Sequence, residues 1–108
     1  MALVAALVPD LMFASKIQVT LSAAGHRVEL VHSVGELERT GSAPDVLVAD
    51  LGELDPAELA GRGAPVLGFY AHVDVETRRR AEAQGIDLVV PRSRMAREMP
   101  ALVESLLG

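Results

Sequence analysis

The sequence predicts an α/β domain, a three-layer sandwich in which helices cover both faces of a five-stranded parallel sheet. Three observations lead to this class. Four short apolar runs, residues 2–8, 45–50, 65–70 and 87–90, are bounded by turn residues, as expected of strands covered on both faces. Helical patterns with start and stop residues fill the intervals between them. The 108 residues, 50% of them hydrophobic, supply one core and leave no room for a second.

Taken in order, residues 2–8 resemble a signal-peptide core in composition, but no positive region precedes them and Pro9 and Asp10 end the run, so they are read as a buried strand. Phe13, Ile17, Leu21 and Ala24 then share one helical face, and Gly25 stands where a helix C-terminal cap belongs. Residues 27–31 alternate polar with apolar, which suits a strand at the sheet edge. Ser33 with Glu36, and Asp55 with Glu58, have capping-box spacing, and Pro56 is placed for a first helical position. Asp74 is expected to cap a helix that runs to Gln84 and is closed by Gly85. Its apolar residues are few (Val75, Ala81, Ala83), so it should be loosely held. Met99, Leu102, Val103 and Leu106 form the stripe of a last helix, which Pro100 places from about Met99 onward, after a looser segment. Five strands thus alternate with five helices, joined by right-handed crossovers.

Composition excludes several classes. The chain has no cysteine, hence no disulfide framework, thiolate metal site or cysteine nucleophile. Its net charge of -5 disfavours nonspecific nucleic-acid binding. No run approaches the roughly 18 apolar residues of a membrane helix. The expectation is a soluble, cytoplasmic protein with no nucleic-acid or membrane partner. His26, His32 and His72 are scattered, which leaves no local zinc spacing.

In open parallel sheets ligands sit at the carboxyl ends of the strands. That rule directs attention to Pro9 and Asp10, Asp50 to Glu53, Tyr70 to His72, and Pro91 to Ser93. Asp10 follows strand one and Asp50 ends strand three, so both carboxylates are expected at one rim. Two close carboxylates repel unless a cation or proton lies between them, and a hard divalent cation would serve. The competing reading makes both residues caps or loop-ordering groups, since aspartate is common at such positions.

At this point the sequence resembles a family, the receiver domain of two-component response regulators. Pro44 and Asp45 followed by Val46, Leu47, Val48, Ala49, Asp50 and Leu51 resemble the strand that ends in the family's phosphoacceptor aspartate. Residues 65–71 resemble its fourth strand, and residues 85–93 the Gly-Ala-Asp stretch that leads through a lysine into the last helix. The resemblance spans nearly all of residues 1–108 and implies the flavodoxin-like receiver fold with strand order 2-1-3-4-5, as one receiver-like domain with no output domain in this chain. It also implies that Asp50 is the phosphoacceptor, that Asp10 is the second acid of the metal pair, and that Gly52 offers a carbonyl to magnesium.

The departures from the family pattern are as informative. Pro9 stands for the first acid, Tyr70 for the small switch hydroxyl, Val89 for the switch aromatic, Arg92 for the lysine, and Ser93 for the proline after it. Phosphoryl transfer to a carboxylate relies on positioning and on neutralisation by a metal and a cation. A missing carboxylate weakens magnesium binding or abolishes it, and the planar fork of an arginine need not reach the oxygen that an ammonium reaches. Tyr70 is open to three readings: a plug in the site, an outward contact residue, or hydrophobic fill.

Charge is also split along the chain. Residues 1–77 hold four basic and eleven acidic side chains, whereas residues 78–108 hold six and four. The six are Arg78, Arg79, Arg80, Arg92, Arg94 and Arg97. In receivers the fourth helix, fifth strand and fifth helix meet partners or another receiver, so Arg78, Arg79, Arg80, Arg94 and Arg97 form a candidate contact surface, including for a homodimer. The plainer reading is a set of solvated helix faces.

The leading expectation is a degenerate receiver (a pseudo-receiver), not an enzyme, that acts by binding a signalling protein such as a histidine kinase or a downstream effector. The alternative is a working phosphoacceptor, with Asp50 phosphorylated by a histidine kinase in the presence of magnesium. A third class, a small flavodoxin-like enzyme or nucleotide binder, lacks any phosphate-binding glycine run after a strand.

Overall fold

The computed structural model describes residues 2–39, 41, 43–71 and 74–107. Strands and helices alternate throughout: β1 (Leu3–Leu7), α1 (Leu11–Ala23), β2 (Arg27–Val31), α2 (Val34–Arg39), β3 (Val46–Asp50), α3 (Pro56–Leu59), β4 (Val66–Tyr70), α4 (Val75–Ala83), β5 (Leu88–Pro91) and α5 (Arg92–Ser105). All strand pairs are parallel, in the order β2-β1-β3-β4-β5. The expected sandwich, the strand order and the edge position of β2 are therefore observed.

The alternation of side chains along each strand divides the core into two. Val4, Ala6, Val48, Leu67, Phe69 and Val90 pack with Phe13 and Ile17 of α1 and with Met95, Met99 and Val103 of α5. Ala5, Leu7, Leu47, Ala49, Leu51 and Val66 pack with Leu37 of α2, Leu59 of α3 and Ala81 of α4. The central strands are buried on both sides, which is why they read as continuous apolar runs.

Local chemistry sets the element ends. Asp10 caps α1 by accepting from the Met12 and Phe13 amides. Gly25 and Gly85, at φ 92° and 86°, close α1 and α4 with the same double hydrogen bond: Gly25 N to Ser22 O with His26 N to Leu21 O, and Gly85 N to Glu82 O with Ile86 N to Ala81 O. Ser33 caps α2 through the Glu36 amide, while the Glu36 carboxylate reaches back to the His32 amide, one residue beyond the one a capping box uses. Asp45 and Asp87, read as strand residues, lie just outside β3 and β5. Their carboxylates accept the first amides of the neighbouring strands, Leu3 and Val66, both at 2.8 Å.

Two further expectations are corrected. Ala24 is the exposed C-cap of α1 and not part of its buried face. The last helix starts at Arg92 instead of Met99, because Met95 is fully buried and anchors an earlier turn in the core. Glu98 leaves helical geometry (φ -120°, ψ 18°), and this kink restarts the helix just before Pro100, whose missing N–H is then harmless. The carboxyl end of β5 therefore runs straight into α5, which places Arg92 at the rim on a helix N-terminus. Among the described residues no helix is long and apolar enough to cross a membrane.

Candidate functional site

Three segments converge at the carboxyl rim of the sheet on the side of α1 and α5. Asp10 leads into α1, Phe69 is the penultimate residue of β4, and Arg92 opens α5. The Arg92 guanidinium donates to Asp10 Oδ2 at 2.6 Å. It also lies over the Phe13 ring, 4.3 Å from the centroid, and 5.7 Å from that of Phe69. The two rings meet edge to face at 5.0 Å. The chain has only two phenylalanines, and both hold this one arginine. A cation over an aromatic face contributes about 0.5–1 kcal/mol at a partly exposed site.

Asp10 is consequently committed at both oxygens. Oδ1 accepts the α1 amides of Met12 (3.0 Å) and Phe13 (3.3 Å), and Oδ2 accepts from Arg92. The Phe13 amide, then the Arg92 hydrogen bond, hold its carboxyl below the ordinary value of 3.8. A carboxyl depressed in the folded state contributes stability that is present above its unfolded value and lost as pH falls through the folded one. Asp74, held low by the Thr77 hydroxyl and then the Thr77 amide, acts in the same window. Urea titrations are therefore expected to show stability falling below about pH 4. Asp10→Asn should make that fall visibly shallower, and an unchanged slope would show that the Asp10 contacts carry no stability.

Asp50 ends β3 half-buried, beside Phe69 in the strand register. Strand alternation puts it on the same face as Val46 and Val48, toward α1 and α5. Its Oδ1 accepts the Gly52 amide at 2.9 Å, so Gly52 faces this aspartate with its N–H. Among the described residues no hydrogen bond reaches Asp50 Oδ2.

The donors that magnesium would require do not fit together here. Pro9 offers no carboxylate, and Asp10 is spent on an arginine and a helix terminus. Among the described residues no group of three or more acidic, histidine or cysteine side chains could hold a metal ion. The Arg92 cation neutralises the charge on Asp10 that a metal would otherwise neutralise.

The remaining expected positions lie apart from this cluster. Tyr70 is buried, opposite Pro91 in the register, and alternation assigns it to the α2–α4 face with Val66. It is therefore not an outward contact residue, and alternation sets it on the face opposite Asp50. Val89 is half-buried in the same core and pairs with Gly68. His72 lies outside the described residues.

Four of the five arginines of the expected contact surface are matched on their own helices. Arg78 pairs with Glu82 (3.6 Å), Arg79 with Glu76 (3.7 Å), and Arg94 and Arg97 both with Glu98 (3.4 and 3.7 Å). All are exposed pairs within one helix, weak and screened by salt. Arg80 borders a cleft of about 330 Å³ with Gly52, Glu53 and Asp55 at the β3–α3 loop. Much of the positive charge of residues 78–108 is thus paired locally.

Sequence reasoning missed the aromatic clamp. Phe13 was legible only as a core position of α1, and no local signal ties it to Arg92. Asp10 was legible as a cap but not as the partner of an arginine 82 positions away.

The arrangement defines a class first: a doubly wound parallel sheet with a carboxylate at the end of its third strand and an acid-cation pair beside it. Solved structures make the class concrete, because the chain has the fold of response-regulator receiver domains. It is similar over 100% of its length to a response regulator receiver protein from Burkholderia phymatum, covering 96% of that chain at 21% identity and TM-score 0.85. It is similar over 99% of its length to the receiver domain of the Francisella response regulator 1452, covering 97% of that chain at 19% identity and TM-score 0.82. With NtrX from Brucella abortus it aligns over 98% of its own length but only 27% of NtrX, at 18% identity and TM-score 0.81. No protein-family model and no curated protein matches the chain.

Proposed function

We propose that residues 1–108 form a receiver-like module of two-component signal transduction that works by protein–protein interaction, with its phosphate-sensing chemistry degenerate. The observation that carries this reading is the Asp10–Arg92 pair, clamped by Phe13 and Phe69. A receiver that uses a metal keeps its acidic pair open to the ion; here one acid is a proline and the other is bound to an internal cation. In this reading the module needs magnesium weakly or not at all, and it is a binding protein of the cytoplasm and not an enzyme. Its partner is a signalling protein, a histidine kinase or an effector, reached through α4 and α5. There α4 exposes Val75 and the three arginines, and buries only Thr77 and Ala81.

One observation favours a second reading. Asp50 stands at the rim with Oδ2 outside any hydrogen bond among the described residues, as an acceptor of a phosphoryl group would. Intact-mass measurement after incubation with a small phosphodonor and magnesium separates the two. The expected result is an unmodified mass. A phosphoryl adduct that disappears in Asp50→Asn would replace the degenerate reading with that of a working phosphoacceptor.

A further inference from the structure

His26 is a buried titratable residue with no part in the site. It follows Gly25 in the turn from α1 to β2, and its side chain is 6% exposed. Among the described residues neither ring nitrogen has a hydrogen-bond partner. A neutral imidazole always carries one N–H, so a donor is buried here without an acceptor, and such a group calls for a physical reason. One acceptor stands close by. Glu104 Oε1, in the last turn of α5, lies 3.8 Å from His26 Nε2, beyond hydrogen-bond distance. The Glu104 side chain is 57% exposed, so its carboxylate can advance by the missing distance, about 1 Å, without disturbing the core.

Among the described residues the other charges around His26 are turned away, distant or spent. Alternation along β2 sets Arg27 and Glu29 with Val31 on the α2–α4 face, whereas Val28, like His26, lies on the side of α1 and α5. Strand β1 has no titratable residue. The one titratable side chain of α1, Lys16, is nearly three helical turns before His26, about 15 Å along the axis. Asp45, at the same end of the sheet, is held by the Leu3 amide. On α5, Glu98 is paired with Arg94 and Arg97. A proton on His26 therefore meets Glu104. The kink at Glu98 divides α5, and Glu104 belongs to the second part, which Met99, Leu102 and Val103 fix to the core by apolar contact alone.

We infer that His26 and Glu104 form a proton-operated latch, open while the imidazole is neutral and closed by a charge-assisted hydrogen bond when it is protonated, which fastens the second part of α5 to the α1–β2 turn. The inference does not rest on the signalling reading, and its test involves neither Asp50 nor a phosphodonor. Histidine changes charge between about pH 5 and 8. A base that gains a partner on protonation contributes stability on the low-pH side of its titration and loses it as pH rises. This window lies above the acid loss expected from Asp10 and Asp74, so the two effects separate. Urea denaturation of the full chain, Glu104→Gln, His26→Gln and the double variant, at about pH 5.5 and about pH 8, measures the coupling between the two side chains. Glu104→Gln should raise the unfolding constant about fivefold at the lower pH and leave it unchanged at the higher. In the His26→Gln background it should have no effect at either. His32→Gln, at an exposed position, should leave the pH difference in place. Should His26→Gln fail to fold, Glu104→Gln at the two pH values still decides, because it alters an exposed carboxylate. An effect of Glu104→Gln that is absent at the lower pH, or as large at the higher one, overturns the proposal.

Discussion

Phe69→Ala is expected to destabilise the domain by about 3–5 kcal/mol, the usual cost of emptying a buried phenylalanine site. Phe69 is 1% exposed and sits on a central strand, in edge contact with Phe13. A domain of this size has about 5–15 kcal/mol of stability in total, so the loss should leave it near unfolding. The substitution also removes one ring beneath Arg92 and frees the other to shift. Phe69→Leu separates the two effects: it keeps most of the apolar volume and should cost far less, yet it still removes the ring from the guanidinium. Urea denaturation midpoints measure both variants. A cost for Phe69→Ala below about 1 kcal/mol would contradict its placement in the core.

Gly68→Ala should cost about 1–3 kcal/mol by overpacking. A Cβ at Gly68 would lie 2.6 Å from Leu51 Cδ1 and 2.8 Å from Leu51 Cγ, and Leu51 is itself buried on the α2–α4 side. The glycine is there because Leu51, the residue after the candidate phosphoacceptor, folds back over β4. The double-mutant cycle with Leu51→Ala is the test. With the leucine trimmed, the added methyl fills space, and the penalty for Gly68→Ala should shrink or vanish. An equal penalty in both backgrounds would show that the contact with Leu51 is not its cause.

Both variants touch the second layer of the site, where the rim is supported by the core. Phe69 and Gly68 are neighbours on β4 but face opposite sides of the sheet, one under Arg92 and one under Leu51. The position of Asp50 thus depends on the strand that pairs with it as well as on its own loop.

The strands were legible because burial on both faces leaves an unbroken apolar run, as in residues 2–8 and 65–70. Helix starts were legible at Ser33, Asp55 and Asp74, whose short side chains reach amides two or three residues on, a purely local effect. The start of α5 was misplaced, because Pro100 reads as a breaker in sequence, whereas a single kinked residue, Glu98, absorbs it in the fold. The burial of Met95 that pulls the earlier turn onto the sheet is a tertiary fact and leaves no periodic trace of its own.

By itself, the sequence determined the alternation of strands and helices, the caps, and the presence of Asp10 and Asp50 at strand ends. Its resemblance to the receiver pattern also implied that a proline and an arginine stand where that pattern has an acid and a lysine. Each of these is encoded within a few residues. Only the tertiary structure decided what the arginine does. Asp10 and Arg92 lie 82 positions apart and meet because α1 and α5 cover the same face of the sheet. Phe13 and Phe69 join them for the same reason, as buried residues that face each other across that layer. A contact of this range depends on the crossover geometry of the whole sheet, and for that reason the spacing of residues along the chain carries no sign of it.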